Sequence, residues 1–232
     1  MIQRILNSPP EREDHWISIS DMMSGLMMIF LFVSVLYMIN VQKEKREIEN
    51  VAQTYESLQL DLYNDLYEEF KYDLERWIAE IDKETLSVRF NEPEILFEPG
   101  ESEINANFQE ILSNFFPRYI RLLAQDKYRD SIEEIRIEGH TSSEWGDETG
   151  INAYLKNMEL SQDRTRSVLD FVIHLDSLNI ERQWIIEHLT ANGLSSSKLI
   201  MRNGVEDKKR SRRVEFRVRT NSEEQIYKII QR

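Results

Sequence analysis

Asp21 is a carboxylate set inside the longest apolar run of the chain, WISISDMMSGLMMIFLFVSVLYMINVQ, Trp16 to Gln42. Between Met22 and Ile39 only Ser24, Gly25 and Ser34 interrupt the apolarity. A charged Asp at the centre of a lipid-spanning helix costs roughly 2.5–3.5 kcal/mol on insertion scales, less near an end. A carboxylate kept at such a cost is expected to bind and release an ion, because an apolar surround favours its neutral form. Ser24 and Gly25 follow one helical turn later and let a second helix approach closely. The competing reading is an interfacial Asp, solvated by headgroups and favourable near a helix N-terminus. Trp16, five residues further out, argues that the boundary lies beyond Asp21. One carboxylate does not distinguish a proton from a sodium ion.

A second set of chemistry-bearing residues lies in NMELSQDR. Asn157, Leu160, Ser161 and Arg164 recur at spacings of three and four, so a helix presents them on one face. An arginine guanidinium there can clamp a carboxylate bidentately. A third set, His140, Thr141 and Ser142, ends the segment EEIRIEGHTSS; His140 is expected to play a structural hydrogen-bonding role. Arg212 and Arg213, beside Glu215, are expected to pair internally, to face a polyanion or to mark a solvated strand end. The four histidines, His15, His140, His174 and His188, are scattered without metal-ligand spacing. No nucleophile elbow, phosphate loop or metalloprotease motif occurs, so neither an enzyme nor a resident metal or cofactor is expected.

These residues must be held by three kinds of element. The chain has 232 residues and a net charge of −13, with 13 acids against 5 bases from Glu44 to Glu84 and 9 bases against 3 acids from Lys198 to Arg219. The acidic total argues against a general nucleic-acid binder. There is no cysteine, hence no disulfide or thiolate metal site. As a helix, Trp16 to Ile39 would measure about 36 Å, enough for a bilayer core of roughly 30 Å. The apolar run is too long for a signal-peptide core and ends without a small-residue cleavage site. Arg4 and Arg12 precede it, and Lys43, Lys45 and Arg46 follow, which leans slightly toward a cytoplasmic C-terminal side.

The expected organisation is a polar tail over 1–15, a membrane span over 16–40, a helical linker over 41–84, an α/β domain over 85–220 and a tail over 221–232. The linker lacks Gly and Pro from Lys43 to Lys83. Its Ile48, Val51, Tyr55, Leu58 and Leu62 form a two-heptad seam, which either packs on the chain's own domain or pairs with a second copy. In the domain, alternation predicts strands around Leu86, Val88 and Phe90, around Ile135 and Ile137, and around Val214, Phe216 and Val218. Apolar periodicity predicts helices around Phe108 to Tyr119, with a kink at Pro117, from about Asn157 to Leu175, and from about Arg182 to Ala191. EPGESEI reads as a turn. Strands alternating with helices give a small mixed sheet with helices on one face.

RIEGHTSS, NMELSQDR and SRRVEFRV, in that order, resemble the OmpA-like peptidoglycan-binding domain, with ILFEPGESEI similar to its opening segment. The resemblance covers about residues 85–220. A single N-terminal span with an early Asp ahead of this domain resembles the MotB-like B subunits of ion-driven stator complexes. The GHTSSEW loop and the insertion GDETGINAY are more similar to the Zorya anti-phage defence branch than to the flagellar one. The resemblance implies that Asp21 carries a proton or sodium ion and that Asn157, Leu160, Ser161, Arg164, Thr141 and Ser142 bind peptidoglycan. Arg164 would hold the diaminopimelate carboxylate. It further implies a homodimer, a pentameric MotA-like A subunit (ZorA in the Zorya branch), an N-terminus in the cytoplasm and a domain in the periplasm. A flagellar-type stator subunit and a wall anchor without ion flux are the alternatives. Ser142 stands where the family carries an Asp that helps hold the diaminopimelate amine, and Glu144, Asp147 or Glu148 are the acids near enough to replace it.

Overall fold

The computed structural model describes residues 14–91, 96–98 and 100–221; the tails expected at the two ends fall largely outside the described residues, as do Ile95 and Pro99 of the opening segment. The chain divides after Asn50 into two units. Helix α1 (Asp14–Phe70) runs through the boundary. In the first unit, the large apolar side chains described from Trp16 to Val41 are exposed all around the helix. That is the distribution of a helix solvated by lipid, since a helix in water confines apolar residues to one stripe. Among the described residues, α1 is the one helix long and apolar enough to cross a membrane.

The second unit is an α/β domain. Strands β1 (Ala79–Asp82), β2 (Ser87–Asn91), β3 (Ile132–His140), β4 (Leu189–Gly193) and β7 (Arg213–Thr220) form one sheet in the order β1-β2-β7-β3-β4. β3 and β4 are parallel; the other pairs are antiparallel. A short hairpin, β5 (Met201–Arg202) with β6 (Val205–Glu206), stands apart. Helices α2 (Ala106–Leu123) and α3 (Gly150–Ile173) cover one face, and α4 (Arg182–His188) and the single-turn α5 (Lys208–Ser211) follow. The expected alternation appears as cross-strand rows, Val88 beside Phe216 beside Ile137, all buried. The opposite face carries charges at the intervening positions.

Phe115 of α2 is the centre of the core. Its ring lies 5.1 Å from each of Phe70, Phe90 and Phe216, joining α1, β2 and β7. α2 starts where the Asn105 side chain accepts from Phe108 N–H at 2.9 Å, satisfying one of the orphan donors of a helix start. It continues through Pro117.

Two departures from the sequence reading matter. α1 stops at Phe70, and residues 79–82 of the expected linker are an edge strand paired to β2. Leu62, Leu66 and Phe70 are buried in the domain core and Leu58 packs against it, so this end of the seam serves the chain's own fold. The helix expected to reach Ala191 ends at His188 and gives way to β4. Neither short strand alternates strongly enough to announce itself; pairing to a neighbour, not propensity, makes them strands.

Candidate functional site

Asp21 lies on α1 with its side chain exposed. Ser24 Oγ donates to the Asp21 carbonyl at 2.8 Å, and a Cβ added to Gly25 would meet nothing.

In the domain, β3 ends at His140 and hands Thr141 and Ser142 into a loop, while α3 runs beneath with Asn157, Leu160 and Arg164 on one face. α3 can lie this close because β3 and β4 offer glycines to it. A Cβ on Gly139 would come within 2.8 Å of the Ser161 carbonyl, and one on Gly193 within 2.4 Å of the Gln162 backbone nitrogen. The result is a cleft of about 320 Å³. Thr141, Ser142, Asn157, Leu160 and Arg164 all line it, joined by Phe97, Glu144, Trp145 and Arg212. Ser161 lies on the same helix but not on the cleft lining; its hydroxyl donates to Met158 O and accepts from Ser195 N–H at 3.0 Å. It fastens the turn after β4.

Arg164 is buried with its fork fixed by backbone. Nε donates to Glu101 O at 2.8 Å and Nη2 to Glu98 O at 3.4 Å, and the guanidinium lies 4.8 Å above the Phe97 ring. Burial and the neighbouring Arg212 pull it down to about 10, so it stays charged at neutral pH. Two guanidiniums facing a partly desolvated cleft suit an anion, a carboxylate above all. Asn157 Nδ2 donates to Glu144 O at 3.0 Å, which ties the loop to α3. The Thr141 hydroxyl is buried at the cleft without a hydrogen-bond partner.

The loop acids separate. Glu144 reaches the cleft and pairs with Lys208. Glu148 pairs with Lys156 at 2.8 Å instead, and Asp147 is not on the lining. The two arginines also separate: Arg212 lines the cleft, whereas Arg213 turns to the other sheet face, where its Nε donates to Glu215 Oε1 at 2.5 Å. Phe97 and Trp145 lie in irregular segments, where no periodicity betrays which way a side chain points.

Behind the cleft a buried charge cluster fixes the end of the sheet. Glu138 and Glu215 are directly opposed across β3 and β7, a repulsive arrangement. Glu215 also accepts from Arg89 Nε at 3.0 Å. Burial pushes the Glu215 carboxyl up, but Arg213 and Arg89 outweigh it and hold it below its ordinary value. His140 sits against both acids, its Nε2 3.6 Å from Glu138 and 3.9 Å from Glu215. Neither ring nitrogen makes a hydrogen bond, so the expected structural bond is absent. Burial pushes His140 down below its ordinary value. The three donor groups are close enough to ligate an ion, but the two arginines already neutralise Glu215.

Comparison with known proteins fits this architecture. Residues 96–213 match the OmpA family. The chain is 48% identical over 233 residues to the Zorya protein ZorB of Escherichia coli strain Crooks, covering 100% of this chain and 98% of that protein. It is 26% identical over 217 residues to the Zorya protein ZorB of Escherichia coli O139:H28, covering 88% and 79%. A MotB-like protein from Desulfovibrio vulgaris shares the fold with a TM-score of 0.51 at 24% identity, over 72% of this chain and 98% of that one. A full-length match at nearly half identity, on an OmpA-type domain behind a single apolar helix, places the chain in the ZorB family of Zorya proteins.

Proposed function

We propose that this chain is the ion-carrying, wall-anchored B subunit of a Zorya motor in the bacterial inner membrane. Asp21 takes up a proton or sodium ion on one side of the membrane and gives it up on the other. The neighbouring helix that completes its path comes from a pentameric MotA-like A subunit (ZorA) arranged around a homodimer of this chain. The domain lies in the periplasm, with the N-terminus cytoplasmic, and its cleft grips a peptidoglycan peptide by a carboxylate at Arg164. No catalytic step is assigned to the chain.

The observation that carries this reading is Asp21, a carboxylate on a helix whose described apolar side chains are exposed all around. The expense of such a group in lipid supports an ion-handling role. The cleft supports the anchoring role, because two arginines beside aromatic walls suit an amino-acid carboxylate. In cells carrying the complete defence system, Asp21→Asn is expected to abolish phage protection while the protein still reaches the membrane and co-purifies with the A subunit. Protection that survives in that variant would reduce the chain to a passive anchor. A reporter active only in the periplasm, fused after residue 232, tests the orientation.

A further inference from the structure

The sheet end behind the cleft holds groups that the proposed function leaves unused. Glu138 and His140 are two residues apart on β3 and so point to the same face. Glu215 lies directly opposite Glu138 on β7. The side chains of Glu138, His140 and Glu215 are only 6%, 2% and 4% exposed. Two carboxylates facing each other across a ladder repel. A buried imidazole with no partner for either nitrogen carries its full desolvation cost. One cation between the three groups would remove both penalties. The distances are those of shared ligands, not of hydrogen bonds. His140 Nε2 stands 3.6 Å from Glu138 Oε2 and 3.9 Å from Glu215 Oε1, too long for a hydrogen bond. Two ligands of one tetrahedral zinc ion, each about 2.0–2.1 Å from it, lie about 3.3–3.4 Å apart. The imidazole therefore needs to close on each carboxylate by only about half an ångström, and the three donor atoms already lie within 4.8 Å of one another.

The arginines support such a site. Arg213 Nε and Arg89 Nε both donate to Oε1 of Glu215, at 2.5 and 3.0 Å, which leaves Oε2 as the ligand. Carboxylates that bind metals are commonly held by outer donors of this kind. Arg89 is shared with Asp82 at 2.7 Å. Glu138 has no close arginine: Arg217 comes only to 4.0 Å and is 40% exposed. Asp82, Glu138 and Glu215 thus outnumber Arg89 and Arg213 by one charge. We propose that Glu138, His140 and Glu215 bind a structural zinc ion, with water in the fourth position, which ties β3 to β7 behind the cleft. The ligand set selects the ion. Calcium and magnesium take oxygen ligands, whereas one imidazole beside carboxylates suits zinc. Histidine spacing conceals the site, because the single histidine draws its partners from two strands. Burial of every ligand means that the ion enters as the domain folds and leaves slowly. It would hold the sheet whether or not the cleft binds a wall peptide.

The test uses untagged full-length protein from cells grown with added zinc, purified in detergent micelles and dialysed free of loose metal. Atomic emission should find about one zinc ion per chain. His140→Gln and Glu138→Gln should each lower the retained zinc about tenfold or more. His174→Gln, whose side chain is 73% exposed, should keep it. Wild-type protein from zinc-depleted cells should unfold at a lower temperature than the zinc-loaded protein, and the two ligand variants should show no such difference. Where a ligand variant fails to fold, X-ray absorption at the zinc edge of the wild type decides, with one imidazole expected among nitrogen and oxygen ligands. Wild-type protein without zinc, equal midpoints with and without it, zinc that survives both substitutions, or a zinc ion lacking an imidazole would each overturn the site.

Discussion

Arg164 is held in place by main-chain carbonyls, so its two roles are coupled. It ties Glu98 and Glu101 to α3 and it points charge into the cleft. Arg164→Ala should lower binding to purified sacculi more than tenfold in a cosedimentation assay. It should also cost about 1–3 kcal/mol in denaturant unfolding, because buried carbonyls lose their donors. Arg164→Lys should not restore binding, since an ammonium cannot reproduce the fork. His140 makes a separate prediction. Its ordinary value is 6.5, and burial lowers it, with Arg213 adding to the effect against Glu138 and Glu215. The unfolded chain therefore takes up the proton first as pH falls below about 6.5, and stability declines from there down to the folded-state value. Unfolding midpoints across that window should fall for the wild type and stay flatter for His140→Gln. Equal slopes would show that this imidazole does not titrate with folding. Glu215 acts in a lower window, below its ordinary 4.5, so the two can be told apart.

Elements differ in how far their residues announce them. β2, β3 and β7 were legible because each alternates large apolar residues, which face the core, with polar ones. The cleft face of α3 was legible for a similar reason, a spacing of three and four that survives in the helix. β1 and β4 were not, because AEID and LTANG show no clear apolar alternation and pairing decides the outcome. The aromatic walls of the cleft were hidden in irregular segments. The role of Gly193 also required coordinates: its importance is the absence of a Cβ where α3 passes. Gly193→Ala would force the Gln162 backbone away from 2.4 Å. The expected cost is about 1–3 kcal/mol of overpacking, with a parallel loss of sacculus binding as the Asn157–Arg164 face shifts. An unchanged unfolding midpoint would mean that α3 gives way freely.

At the scale of the whole molecule, the domain takes the end of α1 for its own core. Arg118 of α2 secures it from outside, donating to Glu69 Oε1 at 2.7 Å and to Asp73 Oδ2 at 2.8 Å. Lys127 and Tyr128 both reach Asp65, the lysine at 3.1 Å. Truncating Phe70 to Ala should cost about 3–5 kcal/mol, measured on the cooperative unfolding of the domain. A much smaller loss would mark the helix end as an accessory that the domain can release. The buried Leu62, Leu66 and Phe70 have one more consequence. Within the second unit, a tension applied to the end of α1 acts directly on the folded core. It must shear three interlocked side chains and their arginine clasp, so a single-molecule pulling trace should show a discrete rupture force where a loose linker would show only gradual extension.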